Sequence, residues 1–243
     1  MPSIEVSEED GVRYLHFGSH WIQGAMRLAR PYLLELEYTR QMMLPLLLRP
    51  ATWPRRVLVA GLGTGSLVRF LWRFRPRALL TVVEIREDVV HAAQQFFRMP
   101  DDERVSIELG DAALYVAQEG DAFDLILVDA YDARGRVGAL DTPAFYAACR
   151  RRLVRGGIFA TNLLSRHRGV DASLARVRTA FDGEAHALPP AASGNVVVLA
   201  AHGAPLELDG AALASGAAAL RVETGLDLGA TVSRLGCRRS ERR

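Results

Sequence analysis

The chain has 243 residues, enough for one full domain or one domain with a small appendage, and its 49% hydrophobic and 24% charged residues are those of an ordinary soluble globular protein. The net charge is only +2, lysine is absent in a way that reads as coding bias, and the arginines are dispersed. Apart from Arg150–Arg152, read as a solvated helix face, and the terminal Arg238, Arg239, Arg242 and Arg243, read as a frayed tail, nothing offers a footing for nucleic acid. Cys149 and Cys237 form no metal pattern or disulfide framework, the start Met1–Glu5 lacks the regions of a signal peptide, and no apolar run reaches about 18 residues. A cytoplasmic chain with no membrane segment is expected.

Apolar clusters at Ile4/Val6, Val12/Tyr14/Leu15/Phe17 and Trp21/Ile22 predict a β-hairpin or small sheet over residues 4–28. Pro31 then opens a predicted helix from about Tyr32 to Leu48, with Met42 and Met43 as core filling. The stretch Arg56–Val68 organises the rest: Val57–Ala60 reads as a buried strand, Gly61, Gly63 and Gly65 as a turn, and Leu67–Phe74 as a helix. Alternating glycines allow positive φ and close approach of a ligand, and a helix start offers free N–H groups. Such a turn can be purely structural, or it can hold a nucleoside. The next strand, Leu79–Ile85, carries Glu84 about twenty residues past the glycines, where nucleotide folds place a ribose-binding carboxylate.

A helix follows over Val89–Phe97, with Asp88 near its start and His91 as a surface or packing residue. The strand Arg104–Leu109 delivers Asp111, either an acceptor for an adenine amino group or the N-cap of a helix from Ala112 to Gln118. The strand Phe123–Val128 delivers Asp129 and Asp132 to the same edge. Two carboxylates so spaced can bind an ammonium group and take its proton, or they can belong to an aspartate-rich turn before the helix at Thr142–Leu153. Beyond Arg155–Gly157 the pattern predicts a strand over Ile158–Asn162, a helix over Val170–Phe181, a strand over Asn195–Ala201, a helix over Leu206–Val222 and an unstructured tail after Leu235. The expected fold is α/β: a doubly wound, Rossmann-like, mostly parallel sheet with a small N-terminal β-hairpin region. The expected units are a hairpin and helix over 1–50, a nucleoside-binding domain over 51–203, and a C-terminal helix and tail over 204–243 packed on it.

These residues resemble the spermidine synthase (polyamine aminopropyltransferase) family, which has the class I S-adenosylmethionine methyltransferase fold, and look most like its short bacterial members. The carriers are Val57–Gly65, Val83-Glu84-Ile85, Gly110-Asp111, Phe123–Asp132, Phe145-Tyr146, Leu153 with Gly156-Gly157, and Ser193–Asn195. The resemblance implies that Glu84, with Ile85 beside it, holds the ribose, Asp111 and Ala112 the adenine, and Gly61, Gly63, Thr64 and Gly65 the methionine-derived part. It implies that Asp129 accepts a proton, that Asp132 helps to bind the substrate amine, and that Gln23 and Tyr38 border the pocket, with Tyr131 on the acceptor side. It also implies a homodimer assembled with help from the N-terminal strands.

Three positions depart from the family pattern. Thr64 stands where spermidine synthases carry an aspartate that contacts the aminopropyl amine; Asp-Ser-Ser-Asp-Pro becomes Asp129-Ala-Tyr-Asp-Ala133; and Tyr38–Met42 only partly echoes the tyrosine-glutamate-methionine motif. The expected reaction is aminopropyl transfer from decarboxylated S-adenosylmethionine to a small amine, without a metal. Two alternatives stay open: methyl transfer from intact S-adenosylmethionine to an unknown small molecule, and nucleoside binding without turnover.

Overall fold

The computed structural model describes residues 3–18, 21–131, 138–164 and 169–240. In chain order the strands are β1 (Ile4–Glu9), β2 (Val12–Phe17), β3 (Ile22–Arg27), β4 (Arg56–Ala60), β5 (Leu79–Glu84), β6 (Val105–Leu109), β7 (Phe123–Val128), β8 (Leu153–Leu164), β9 (Ala185–Ala187) and β10 (Asn195–Ala201). The helices are α1 (Glu37–Gln41), α2 (Ser66–Phe74), α3 (Glu87–Phe96), α4 (Ala112–Ala117), α5 (Pro143–Arg151), α6 (Val170–Ala180), α7 (Gly210–Thr224) and α8 (Gly229–Ser240).

Side chains alternate across a strand, and the central strands β4 and β7 are apolar on both faces apart from Arg56 and Asp124 near their starts, so both sheet faces must be covered. In β4, Val57 and Val59 enter one hydrophobic cluster while Leu58 and Ala60 enter the other. In β7, Leu125 and Leu127 face the first, and Phe123, Ile126 and Val128 the second. The result is a seven-stranded sheet in the order β6-β5-β4-β7-β8-β10-β9, parallel from β6 through β8 and antiparallel at β10 and β9. The strand order reverses between β4 and β7. In an open α/β sheet that switch point, at the carboxyl ends of the strands, is where a crevice forms. A separate three-stranded antiparallel sheet, β1-β2-β3, lies before it.

The expected doubly wound fold is thus present, but four local expectations are corrected. The helix over residues 32–48 is replaced by a short α1 and a 3₁₀ turn at Leu44–Leu47. Pro45 accounts for the break, since it lacks an N–H and disfavours helical backbone at the residue before it. The strand expected at Ile158 begins at Leu153, and a register shift between Phe123 and Leu125 lets Gly156, at φ 82°, bulge within it. The short β9 carries too little pattern to be seen in sequence.

As far as Ser240, the tail after Leu235 continues helix α8 instead of fraying; residues 241–243 lie outside the described residues. Thr231 and Val232 are buried there, and Arg234 donates to Pro190 O at 3.0 Å and pairs with Glu37 at 2.5 Å. Nor is Arg152 part of a solvated face. It is 7% exposed, donates to the carbonyls of Asp121, Tyr115 and Gln118, and stacks over Tyr115 and Phe123. Met42 and Met43 are fully buried and His91 is exposed, as expected.

Arg69 ties three segments together. Its side chain is 0% exposed and donates to Pro31 O at 3.0 Å, to Phe97 O at 2.8 Å and to Thr64 O. Burial pulls its pKa down to about 9, which still leaves the guanidinium charged at neutral pH. Arg69→Met keeps much of the volume but strands these carbonyls, each costing about 1–3 kcal/mol when unsatisfied. The expected loss is about 3 kcal/mol after removal of the charge's own desolvation cost. It should appear as a lower urea midpoint at unchanged m; an unaltered midpoint would contradict the clamp.

Candidate active site

The glycine turn sits at the switch point. Ala60 of β4 pairs with Val128 of β7, so Gly61 and Asp129 leave the sheet side by side. Gly61 has φ 92°, and a Cβ there would stand 2.4 Å from the Asp129 carbonyl oxygen. No other residue fits. Gly65, at φ 69°, is the N-cap of α2, and a Cβ on it would meet Met99 Sδ at 2.1 Å. Leu62 and Gly65 close the turn through a 2.8 Å backbone hydrogen bond.

Thr64 is 2% exposed and its Oγ1 lies 2.7 Å from Ser66 Oγ. A Cβ at Gly24 would stand only 2.5 Å from Thr64 Cγ2, so β3 rests directly on the turn. Gln23 is therefore carried to the edge of the same cleft. Gln23, Leu36, Tyr38, Gly61, Gly63, Thr64, Ser66 and Asp129 are among its lining residues. Of the expected residues, Gln23, Gly61, Gly63 and Thr64 from the methionine side thus meet Tyr38 and Asp129 from the acceptor side, while Gly65 and Tyr131 are not in this lining.

Glu84 lies one strand over, at the end of β5, and is 8% exposed. Its Oε2 accepts from the backbone N–H of Leu62 at 2.8 Å, and its Oε1 from that of Arg86 at 2.9 Å. The carboxylate thus ties the glycine turn to the end of β5, and each oxygen keeps a lone pair for a ligand. Asp111 caps α4, with Oδ1 accepting from Ala113 N at 2.7 Å. Ala112 is buried behind it, while Ile85 is 61% exposed at the strand end. Leu109, paired with Glu84, and Leu114 are 58% and 66% exposed on the same edge. Those two were missed in the sequence; their signal is an apolar side chain at a strand end or first helical turn with no core to enter.

Asp129 is partly buried and held on both oxygens. Asn162 Nδ2 donates to Oδ1 at 2.9 Å, and Tyr38 OH donates to Oδ2 at 3.1 Å. Burial raises its pKa, and these two bonds pull the other way without cancelling the rise. Burial also pushes the Tyr38 and Tyr131 phenols up, with the Asp129 charge adding to it. Tyr131 is half-buried and its OH donates to the Asn162 carbonyl oxygen. Asp132 lies outside the described residues.

The two donors have separate supports. Asn195 Nδ2 donates to Asn162 Oδ1 at 2.9 Å, and Ser193 Oγ donates to Asn195 Oδ1 at 2.6 Å. On the Tyr38 side, Glu37 Oε2 accepts from Ala192 N at 2.8 Å and Gln41 Nε2 donates to Pro189 O at 3.1 Å. The segment from Pro189 to Asn195 therefore braces both. Sequence reasoning found Tyr38 but not Asn162. The available signal was a polar residue at the end of a buried strand, one step beyond the Thr161 that pairs with Val128. Among the described residues, no group of three or more His, Cys, Asp or Glu side chains is placed to hold a metal ion.

Because Glu84 serves two backbone donors, Glu84→Ala should cost stability as well as any ligand contact. Two charge-assisted bonds of about 1.5–3 kcal/mol each, partly replaced by water, predict a loss of about 2–4 kcal/mol in urea unfolding. Glu84→Gln, which keeps one acceptor oxygen, should lose less. Equal midpoints for all three proteins would remove the structural role.

Residues 35–184 match the model of the spermine/spermidine synthase domain. The polyamine aminopropyltransferase of Chromobacterium violaceum is 37% identical over 236 residues, covering 97% of this chain and 90% of that protein. A probable spermidine synthase from Corynebacterium glutamicum shares the fold with a TM-score of 0.75 at 19% identity, over 92% of this chain and 91% of that one. Human methyltransferase-like protein 13, solved in complex with SAH, shares it with a TM-score of 0.68 at 22% identity, over 77% and 92% of the two chains. With a domain match over most of its length and a relative this similar from end to end, the chain belongs to the spermine/spermidine synthase family.

Proposed function

We propose that the protein transfers an aminopropyl group from decarboxylated S-adenosylmethionine to a small amine, with Asp129 as the proton acceptor. The observation that carries this reading is the Asp129 carboxylate, held at the switch point beside the glycine turn by donors on both oxygens. Family membership supports the reaction class. Glu84 and Ile85 are assigned to the ribose, Asp111 and Ala112 to the adenine, and Gly61, Gly63, Thr64 and Gly65, with Gln23 opposite, to the sulfonium arm. Tyr38, Tyr131 and Asp132 are assigned to the acceptor. A homodimer acting in the cytoplasm completes the proposal; light scattering at micromolar protein checks the dimer.

The sulfonium needs no activation. An amine lone pair attacks the methylene carbon next to sulfur, the C–S bond breaks, its electron pair returns to sulfur, and a neutral thioether leaves. The enzyme must align the two reactants and remove the proton that keeps the amine an ammonium. Each Asp129 oxygen uses one lone pair on its protein donor, so each retains one for an N–H of the acceptor.

Methyl transfer from intact S-adenosylmethionine is kept as a second reading on one observation: the uncharged Thr64 packed at the cleft wall, where an aspartate would repel a donor carboxylate. Calorimetry with the two donors separates the readings.

Asp129→Asn removes the base and keeps the shape. Turnover should fall about 10²–10⁴-fold, with little change in affinity for methylthioadenosine, and should partly recover at high pH where more amine is neutral. Full activity at neutral pH would end the mechanism. The pH dependence has a fixed sign: a base with a raised pKa works above that pKa, so kcat/KM should fall as pH drops through a value above the ordinary 3.8 of an aspartate. Tyr38→Phe deletes a donor that favours the charged form, so this acid limb should move to higher pH.

A further inference from the structure

Asn162 and Asn195 are not among the residues that line the cleft, yet they are 2% and 6% exposed and are joined to each other and, through Asn162, to the lining residue Asp129. Their placement follows from the sheet. Asn195 pairs with Leu164 and Asn162 with Val197 in the antiparallel β8–β10 ladder, so the two amides are diagonal neighbours on one face. Asn162 also comes directly after Thr161, the partner of Val128, which sets it beside Asp129.

The hydrogen bonds run in one direction. An ionised carboxylate only accepts, so Asn162 must turn its NH₂ towards Asp129 and its oxygen away. That oxygen accepts from the Asn195 NH₂, which leaves the Asn195 oxygen to accept from the Ser193 hydroxyl. Every donor points towards Asp129. Reversing any amide would place an oxygen against an oxygen, in a buried setting where such a contact is costly.

We propose that Asn195, backed by Ser193, is a positioning residue that locks the Asn162 amide in its donor orientation and so keeps Asp129 ionised for the next proton. This rests on the reading of Asp129 as the proton acceptor. The relay also couples the base to Tyr131, whose hydroxyl is held by the backbone oxygen of Asn162. Among the described residues, the titratable groups facing Asp129 are Tyr38 from α1 and Tyr131 on its own loop; the glycine turn and β3 present the uncharged Thr64 and Gln23. Both phenols are pushed upward by burial, so neither titrates on the acid side. Of these groups Asp129 is the one carboxylate, so a change at position 195 acts on the acid limb through it.

Asn195→Asp tests the relay. A carboxylate at 195 cannot donate to Asn162 unless it takes up a proton itself, so the Asn162 amide is driven to turn its oxygen on Asp129. The acid limb of kcat/KM, measured with decarboxylated S-adenosylmethionine and a diamine, should move to higher pH by about one unit or more, the loss of one charge-assisted bond. Methylthioadenosine affinity by calorimetry should stay within about twofold, since no nucleoside contact is touched. Asn195→Ala, which adds no charge and removes the donor to Asn162 together with the acceptor for Ser193, should shift the limb in the same direction by less and covers the case in which the aspartate variant does not fold. A merely structural Asn195 would lower the urea midpoint and scale kcat equally at every pH. An unmoved limb in whichever of these variants folds would overturn the proposal while Asp129→Asn remained inactive. A fully active Asp129→Asn would instead overturn the reading beneath it.

Discussion

A buried carboxylate proposed to take up a proton faces opposing demands: burial makes its charge costly, and the charge must nevertheless be present at neutral pH. At Asp129 burial prevails in part, raising the pKa, and hydrogen bonds to both oxygens limit the rise. Much of the surrounding architecture serves those two bonds. The β7–β8 register brings Asn162 alongside, the break of the N-terminal helix at Pro45 leaves α1 short, and α1 presents Tyr38 from the other side. The segment Pro189–Asn195 braces both donors. A displacement of that one segment would disturb both sides of the base.

Arginine does the structural work that lysine does elsewhere, and in this chain it is largely work on backbone carbonyls. Arg49 grips Gly156 O with two nitrogens at 3.0 and 2.8 Å, Arg40 holds Leu34 O and Glu35 O ahead of α1, and Arg152 gathers three carbonyls around the end of α4. A guanidinium has five N–H donors in a fixed plane, so one side chain can satisfy carbonyls from several segments. Arg69 does this at the glycine turn itself. An ammonium at position 69 could not reach Pro31, Thr64 and Phe97 together in the same planar arrangement. A sequence without lysine therefore has a structural consequence beyond its coding origin.

The strongly periodic parts of the fold were legible in the sequence. Val57–Ala60, Leu125–Val128 and Val196–Ala201 are continuous apolar runs that only a sheet covered on both faces can bury, and the strands that contain them have bounds within a residue of those expected. The residues proposed for the nucleoside sit at strand ends and glycines, features that local sequence reports well. Asn162 and Asn195 did not stand out, because their meaning arises only when β8 and β10 pair and turn two polar strand residues onto one face. The C-terminal helix was missed for a related reason: Thr231, Val232 and Arg234 are held by partners near residues 37 and 190, and nothing nearby in the sequence reveals those contacts. Glu84 was located but under-read, since its bonds to Leu62 and Arg86 depend on the path of the turn rather than on spacing alone.

Thr64 lies between the two halves of the proposed site, the nucleoside side and the acceptor side. Packed against Gly24 and paired with Ser66, it gives the cleft an uncharged wall. In the proposed function, Asp129 and its donors suffice to orient and deprotonate the amine in spite of that. The most direct measurement is the mass of the acceptor after incubation of the wild-type protein with small diamines and each donor in turn. An acceptor heavier by one aminopropyl group, formed together with methylthioadenosine and only from decarboxylated S-adenosylmethionine, is the predicted result. An acceptor heavier by one methyl group, formed from intact S-adenosylmethionine, would contradict it.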